Sequence, residues 1–132
     1  PTYKEVTYGK TGHFEVVEVI YNKEIITYEE LLKNFWLNID PFDAYGQFCD
    51  KGYSYRSVAF FQNSNEKKLI ERDIKDLEKK FNKKIVTYVR KFSKFFKAED
   101  YHQDFYKIKF QKYIRYKNAC KREQSLNNIW GQ

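Results

Sequence analysis

The sequence predicts an α+β domain, a two-layer arrangement in which helices cover a mixed sheet, and three observations point to it. Between residues 13 and 89, segments with strand character alternate with segments of helical period, in the order strand, helix, strand, helix, strand. The stretch from Asn65 to Phe81 spaces apolar and charged residues as on a two-faced helix. Core material is ample: 42% of the 132 residues are hydrophobic, with 12 Tyr and 12 Phe, which suits one packed domain and not a disordered chain.

Residues 1–12 read as a loop punctuated by Gly9 and Gly12. His13 to Tyr21 reads as a strand with apolar side chains on both faces, Phe14, Val16 and Ile20 on one and Val17, Val19 and Tyr21 on the other. Glu15 shares the second face. Buried there, its carboxyl group would be costly to ionise and would hold its proton, ready to donate it. Near a strand end it would simply reach water, and pattern alone leaves both readings open.

Asn22 to Glu24 make a turn. Thr27-Tyr28-Glu29-Glu30 is a capping box that opens a helix running to about Ile39, with Leu31, Leu32, Phe35 and Trp36 on one face. Asp40-Pro41 stops it. Phe42 to Arg56, with Gly46 and Gly52, shows neither helical nor strand period, the mark of a long structured loop. Ser57 to Phe61 is a short apolar strand. Asn65 caps the charged helix to about Phe81, with Leu69, Ile70, Ile74 and Leu77 inward. Ile85 to Val89 is a third strand, and Phe92 to Ala98 is irregular. Asp100 caps a short helix carrying His102, Gln103 and Tyr106. The basic, tyrosine-rich tail from Lys107 to Asn118 is helical in part, and Gln124 to Trp130 is a last turn or short helix. Residues 1–132 form a single domain.

The net charge is +7, from 25 Lys and Arg against 18 Asp and Glu. Such an excess can mark an RNA-binding domain, but here the lysines are scattered along helix faces and alternate with acids, without a clustered stripe. That argues against a nucleic-acid partner. No apolar run approaches the ~18 residues of a membrane span. His13, His102, Cys49 and Cys120 lack metal-ligand spacing. Two distant cysteines make no disulfide framework; read as free thiols, and with no signal peptide, they point to the cytoplasm.

Several polar segments sit where burial is expected: Pro1-Thr2-Tyr3, Thr11-Gly12-His13 with Glu15-Val16-Val17, Asp50 and Gly52 with Tyr55-Arg56-Ser57, and Ala98-Glu99-Asp100 with His102-Gln103. With Phe35-Trp36, Asp40-Pro41 and Ile85-Val86-Thr87, their order and spelling resemble the A-type peptide methionine sulfoxide reductases, which act on the S epimer. The resemblance covers residues 1 to about 106 and continues weakly through Tyr113-Ile114-Arg115-Tyr116 to Trp130-Gly131. It implies that family's ferredoxin-like variant of the α+β sandwich.

It also implies a mechanism. A cysteine thiolate attacks the sulfoxide sulfur while Glu15 protonates the oxygen. Tyr3 and Tyr55 hydrogen-bond that oxygen, and Asp50 belongs to the surrounding polar network. The cysteine becomes a sulfenic acid, a second cysteine resolves it as a disulfide, and thioredoxin, or dithiothreitol in its place, reduces the disulfide. No cofactor or metal is implied; the substrates are oxidised proteins or free methionine sulfoxide, and the protein is expected to be a monomer. Cys120, in Asn118-Ala119-Cys120-Lys121-Arg122, resembles a tail motif of part of the family and is the candidate resolving cysteine, with Lys121 and Arg122 favouring its thiolate. Cys49 reads as a buried inert thiol near the pocket. Arg56 is expected to pair with Asp50, and His13 and His102 to be structural. Phe14, beside Glu15, stands where a smaller residue is usual and narrows the pocket.

The family's nucleophile lies in a Gly-Cys-Phe-Trp motif ahead of the Asn-Pro-Thr-Tyr motif, whereas this sequence begins at Pro1 and has no Met. The expectation is a fragment of a complete reductase; the alternative is a truncated, non-catalytic module that binds methionine sulfoxide or another protein.

Overall fold

The computed structural model describes residues 2–7, 12–97, 99 and 110–131. The short helix expected around His102, Gln103 and Tyr106 lies outside them. Residues 3–7, expected as loop, form helix α1 (Tyr3–Thr7). Its start is another capping box: Thr2 Oγ1 accepts from the Glu5 N–H at 3.2 Å and donates to Glu5 Oε1 at 3.0 Å.

Residues 12–22 form neither helix nor strand among the described residues, a correction to the expected strand. Alternation suits a strand, but a ladder also needs a neighbouring strand. Phe14 packs inward, while Val17 is 87% and Ile20 91% exposed.

Helix α2 (Tyr28–Leu37) begins at the expected cap, with Thr27 Oγ1 accepting from the Glu30 N–H at 3.1 Å. Leu32 and Trp36 are its buried residues. The unpatterned stretch after Pro41 contains a hairpin, β1 (Gly46–Gln47) antiparallel to β2 (Asp50–Lys51), and then a 3-10 turn at Tyr53–Tyr55. These strands are too short to show a period. The Gln47 side chain ties the hairpin to the end of α2, accepting from the Asp40 N–H at 2.8 Å and donating to the Asp40 carbonyl at 2.7 Å.

Strand β3 (Val58–Phe61), helix α3 (Ser64–Phe81) and strand β4 (Tyr88–Lys91) make a β-α-β unit with β3 and β4 parallel, Val58 opposite Tyr88 and Phe61 opposite Lys91. The α3 cap is Asn63 and not Asn65: Asn63 Oδ1 accepts from the Glu66 N–H at 2.9 Å. The third strand lies three residues later than its apolar run suggests. Ile85 and Thr87 are buried ahead of it, and Thr87 meets Ser57 through a buried hydroxyl pair at 2.8 Å. Among the described residues the strands form two two-stranded sheets, one parallel and one antiparallel, within the expected α+β architecture.

The core lies between α2, α3 and the parallel pair. Ile70 is fully buried among Leu32, Trp36, Ala59 and Ile85. Trp36 Nε1 donates to Asp73 Oδ2 at 3.1 Å, and the Tyr28 hydroxyl to the Phe60 carbonyl at 2.8 Å, so both rings bury with their polar tips satisfied. Helices α4 (Phe110–Cys120) and α5 (Arg122–Trp130) close the chain, separated by Lys121 in a left-handed conformation. Trp130 docks α5: its indole N–H donates to the Ile39 carbonyl at 3.1 Å and its ring meets Phe81 edge-on. No helix among the described residues is long and apolar enough to cross a membrane.

Candidate active site around the Tyr53–Tyr55 turn

The 3-10 turn before β3 carries Tyr55 and Arg56 and is met by the segments that carry Glu15 and Tyr3. Its middle residue, Ser54, is 1% exposed, and its carbonyl accepts the Glu15 N–H at 2.7 Å. That bond joins the segment carrying Glu15 to the turn carrying Tyr55. Helix α1, with Tyr3, lies against the same turn, and the Tyr3 N–H donates to Glu99 Oε1 at 2.8 Å. The hairpin brings in Asp50, whose Oδ1 accepts a hydrogen bond from the Tyr116 hydroxyl of α4.

Tyr116 reports how close the group lies. Partial burial pushes its phenol pKa above the ordinary tyrosine range, reinforced by its bond to Asp50 and by the charges of Asp50, Tyr55 and Glu15. The phenol therefore keeps its proton and remains a donor to Asp50. Tyr116 had no place in the site read from sequence; the weak continuation Tyr113-Ile114-Arg115-Tyr116 was the available signal.

Three expectations need correction. Glu15 is exposed and not buried, because Val16 to Ile20 beside it are exposed as well. Arg56 does not pair with Asp50 among the described ion pairs. Its guanidinium lies 3.5 Å from the Tyr53 ring centroid, 4.4 Å from Tyr88 and 5.3 Å from Phe14. Nε donates to the Tyr53 carbonyl at 2.9 Å and Nη1 to the Tyr88 hydroxyl at 2.6 Å. Stacking among three rings wins because a flat, weakly hydrated cation gives up little on entering an aromatic cage. Phe14 is thus a wall of that cage, which helps hold residue 15 against the turn. The third correction concerns sulfur: Cys49 is exposed, and it is bonded to Cys120, so neither is a free thiol. Spacing along the chain gave no hint that residues 71 apart would meet.

His13 places its ring edge-on to Phe96 at 5.1 Å. His102 lies outside the described residues. Among the described residues, no group of three His, Cys, Asp or Glu side chains is placed to hold a metal ion.

The hairpin that delivers Cys49 and Asp50 depends on a missing side chain. A Cβ on Gly46 would stand 2.1 Å from the Asp50 carbonyl oxygen and 2.8 Å from Lys51 Cα, both backbone atoms. Across the same hairpin Lys51 pairs with Asp43. Burial opposes ionisation of Asp43, but Lys51 and the amides of Tyr45 and Gly46 outweigh it and hold the carboxyl below its usual range. Gly46→Ala is expected to force the two strands apart at a cost of about 1–3 kcal/mol. Urea unfolding checks this, and an unchanged midpoint would contradict it.

The family profile described as peptide methionine sulfoxide reductase matches residues 1–132. The chain is 42% identical over 133 residues to the peptide methionine sulfoxide reductase MsrA/MsrB of Vibrio cholerae, covering 99% of this chain and 35% of that protein. It is 41% identical over 132 residues to MsrA of Listeria monocytogenes, covering 98% of this chain and 75% of the relative. Among solved structures it resembles Mxr1 from Saccharomyces cerevisiae in reduced form, with a TM-score of 0.73 and 34% identity over 80% of this chain and 59% of that one. It also resembles methionine sulfoxide reductase A of Corynebacterium diphtheriae, with a TM-score of 0.68 and 29% identity over 80% of this chain and 56% of the other. The chain thus spans about a third of the Vibrio protein and somewhat over half of each solved structure. With a profile match along its whole length and relatives above 40% identity, it belongs to the peptide methionine sulfoxide reductase family.

Proposed function

We propose that the protein serves the reduction of methionine S-sulfoxide, in proteins or free, and that the face around the Tyr53–Tyr55 turn binds and protonates the sulfoxide oxygen. The observation that carries this is that the Glu15 N–H is bonded to the turn bearing Tyr55, while Tyr116 donates to Asp50 and feels the charges of Asp50, Tyr55 and Glu15.

A sulfoxide oxygen leaves poorly as an anion and readily once protonated, which is the task of Glu15. The phenols of Tyr3 and Tyr55 stabilise the charge that develops on oxygen without themselves ionising. The sulfoxide and a thiol give methionine and a cysteine sulfenic acid. The sulfenic acid and a second thiol give a disulfide and water, and a dithiol such as thioredoxin returns both cysteines to thiols. Cys120 is the resolving candidate. The family's Gly-Cys-Phe-Trp motif does not occur in residues 1–132, so this face supplies the acid and the oxygen contacts. A thioredoxin-served repair reaction fits a cytoplasmic protein.

Binding tests the reading without requiring turnover. Residues 1–132 in dithiothreitol are expected to bind a blocked methionine S-sulfoxide at least tenfold tighter than the R epimer, by titration calorimetry. Tyr55→Phe should weaken the S epimer, because an oxygen-binding site that loses a hydroxyl leaves the ligand unpaired. Equal affinity for the two epimers, or no binding of either, would sink the proposal.

A further inference from the structure

Arg56 joins three stretches of chain. Phe14 belongs to the segment that carries Glu15, Tyr53 opens the 3-10 turn and Tyr88 begins β4, and all three rings face one guanidinium. Two hydrogen bonds fix the plane of that cation, from Nε to the Tyr53 carbonyl and from Nη1 to the Tyr88 hydroxyl. Nη2 is buried with no hydrogen-bond partner among the described residues. A donor left so costs stability, so the stacking geometry and not hydrogen-bond satisfaction decides where the cation sits. The cage stands directly beside two of the groups proposed to bind the sulfoxide oxygen: Tyr55 precedes Arg56 in the chain, and Glu15 follows Phe14. Of the two chain neighbours of Glu15, Phe14 is half-buried and Val16 exposed, so the packed side of the acid is the cage side.

We propose that Arg56 is a specificity-determining positioning residue: by clamping Phe14 onto the turn, its flat cation sets the spacing between the Glu15 carboxyl group and the Tyr55 phenol, and with it the preference for one sulfoxide epimer. The inference deepens the proposed function and rests on it. A sulfoxide sulfur carries an oxygen, a methyl group, the rest of the side chain and a lone pair. With the side chain and the methyl group held in place, the two epimers differ by exchange of the oxygen with the lone pair. Two oxygen-binding groups separate the epimers only while their spacing is fixed, because groups free to shift by about an ångström can follow either oxygen. Lysine cannot replace the clamp. Its ammonium is a compact point charge that neither lies flat among rings nor donates in a fixed fork to the Tyr53 carbonyl and the Tyr88 hydroxyl together. The lysine also removes the buried orphan nitrogen, which offsets part of the lost stacking, so the fold is expected to stand. Arg56 acts through its neighbours in chain and cage, and not on the sulfoxide itself.

The test is made on the intact chain in dithiothreitol, with blocked methionine S- and R-sulfoxide as ligands. Arg56→Lys is expected to speed amide exchange at Glu15 about tenfold, the scale of a partly desolvated cation–π contact, and to leave exchange in helix 64–81 unchanged. It should also bring the S-to-R affinity ratio down from about tenfold to about twofold, a readout that lost stability alone would not move. Phe14→Leu, which removes one wall of the cage, should do the same. Arg72→Lys, which exchanges a guanidinium in an exposed ion pair with Glu29, should do neither. Exchange at Glu15 at the wild-type rate in Arg56→Lys would overturn the inference, and so would faster exchange with an unaltered epimer ratio. If the wild type binds neither epimer, the proposed function fails and takes the epimer preference with it, while the exchange rate at Glu15 still decides whether Arg56 holds the acid to the turn.

Discussion

Glu15→Gln is expected to lower turnover of methionine S-sulfoxide by about 10²–10⁴-fold, the usual contribution of a positioned proton donor. The measurement needs a nucleophile, so it is made with a relative's Gly-Cys-Phe-Trp segment joined ahead of Pro1. The amide keeps the size and the hydrogen-bonding reach of the acid but has no acidic proton to give. Glu15 is placed by its own N–H on the Ser54 carbonyl and by Phe14 in the Arg56 cage, and the substitution touches neither. The variant should therefore unfold at the wild-type temperature, which separates lost chemistry from lost structure. In the described structure Glu15 is exposed, and a bound sulfoxide whose methyl group lies against nearby aromatic rings would cover it. Turnover of the variant within threefold of wild type would remove Glu15 from the role.

The helices were legible in the sequence because their signals are local. The Thr27 capping box and the Leu32/Trp36 spacing predicted α2, and the Leu69, Ile70, Ile74 and Leu77 spacing predicted α3. Helix α1 was legible too, since Thr2-Tyr3-Lys4-Glu5 has the same cap spelling as Thr27 to Glu30, but the two nearby glycines drew the segment toward loop. What was not legible depends on distant partners. The strand assignment for residues 13–21 assumed a neighbour on each side. The hairpin at residues 46–51 is made by Gly46, Gln47 and a tight close approach, with no periodicity to see. For the site, the motif resemblance proposes Glu15, Tyr55 and Asp50. It could not show that Arg56 prefers three rings to a carboxylate, or that Tyr116 and Cys120 would close over the hairpin. Both outcomes are set by how chain ends pack, and no spacing along a sequence encodes that.

Ile70→Ala is expected to have the largest effect on stability, a loss of about 2–5 kcal/mol and a fall in melting temperature of roughly 10–20 °C. Ile70 is 0% exposed and fills the junction of α2, α3 and the parallel strands, with Leu32, Trp36, Ala59 and Ile85 around it. Removing three carbons there leaves a cavity that elements fixed by Trp36–Asp73 and by the β3–β4 ladder cannot readily collapse to fill. The total stability of such a domain is of order 5–15 kcal/mol, so one side chain accounts for a large share of it. Damage would reach the site, because β3 follows directly from the turn that holds Tyr55 and receives Glu15. The informative control is Ile20→Ala. It is the same chemical change in a segment the sequence reads as equally buried, yet Ile20 is 91% exposed. Its expected cost is within about 0.5 kcal/mol. Calorimetry on the two variants therefore measures the difference between a buried and an exposed isoleucine in one chain. Equal losses would mean that residues 12–22 are covered in the folded protein, and that the strand read from alternation is real.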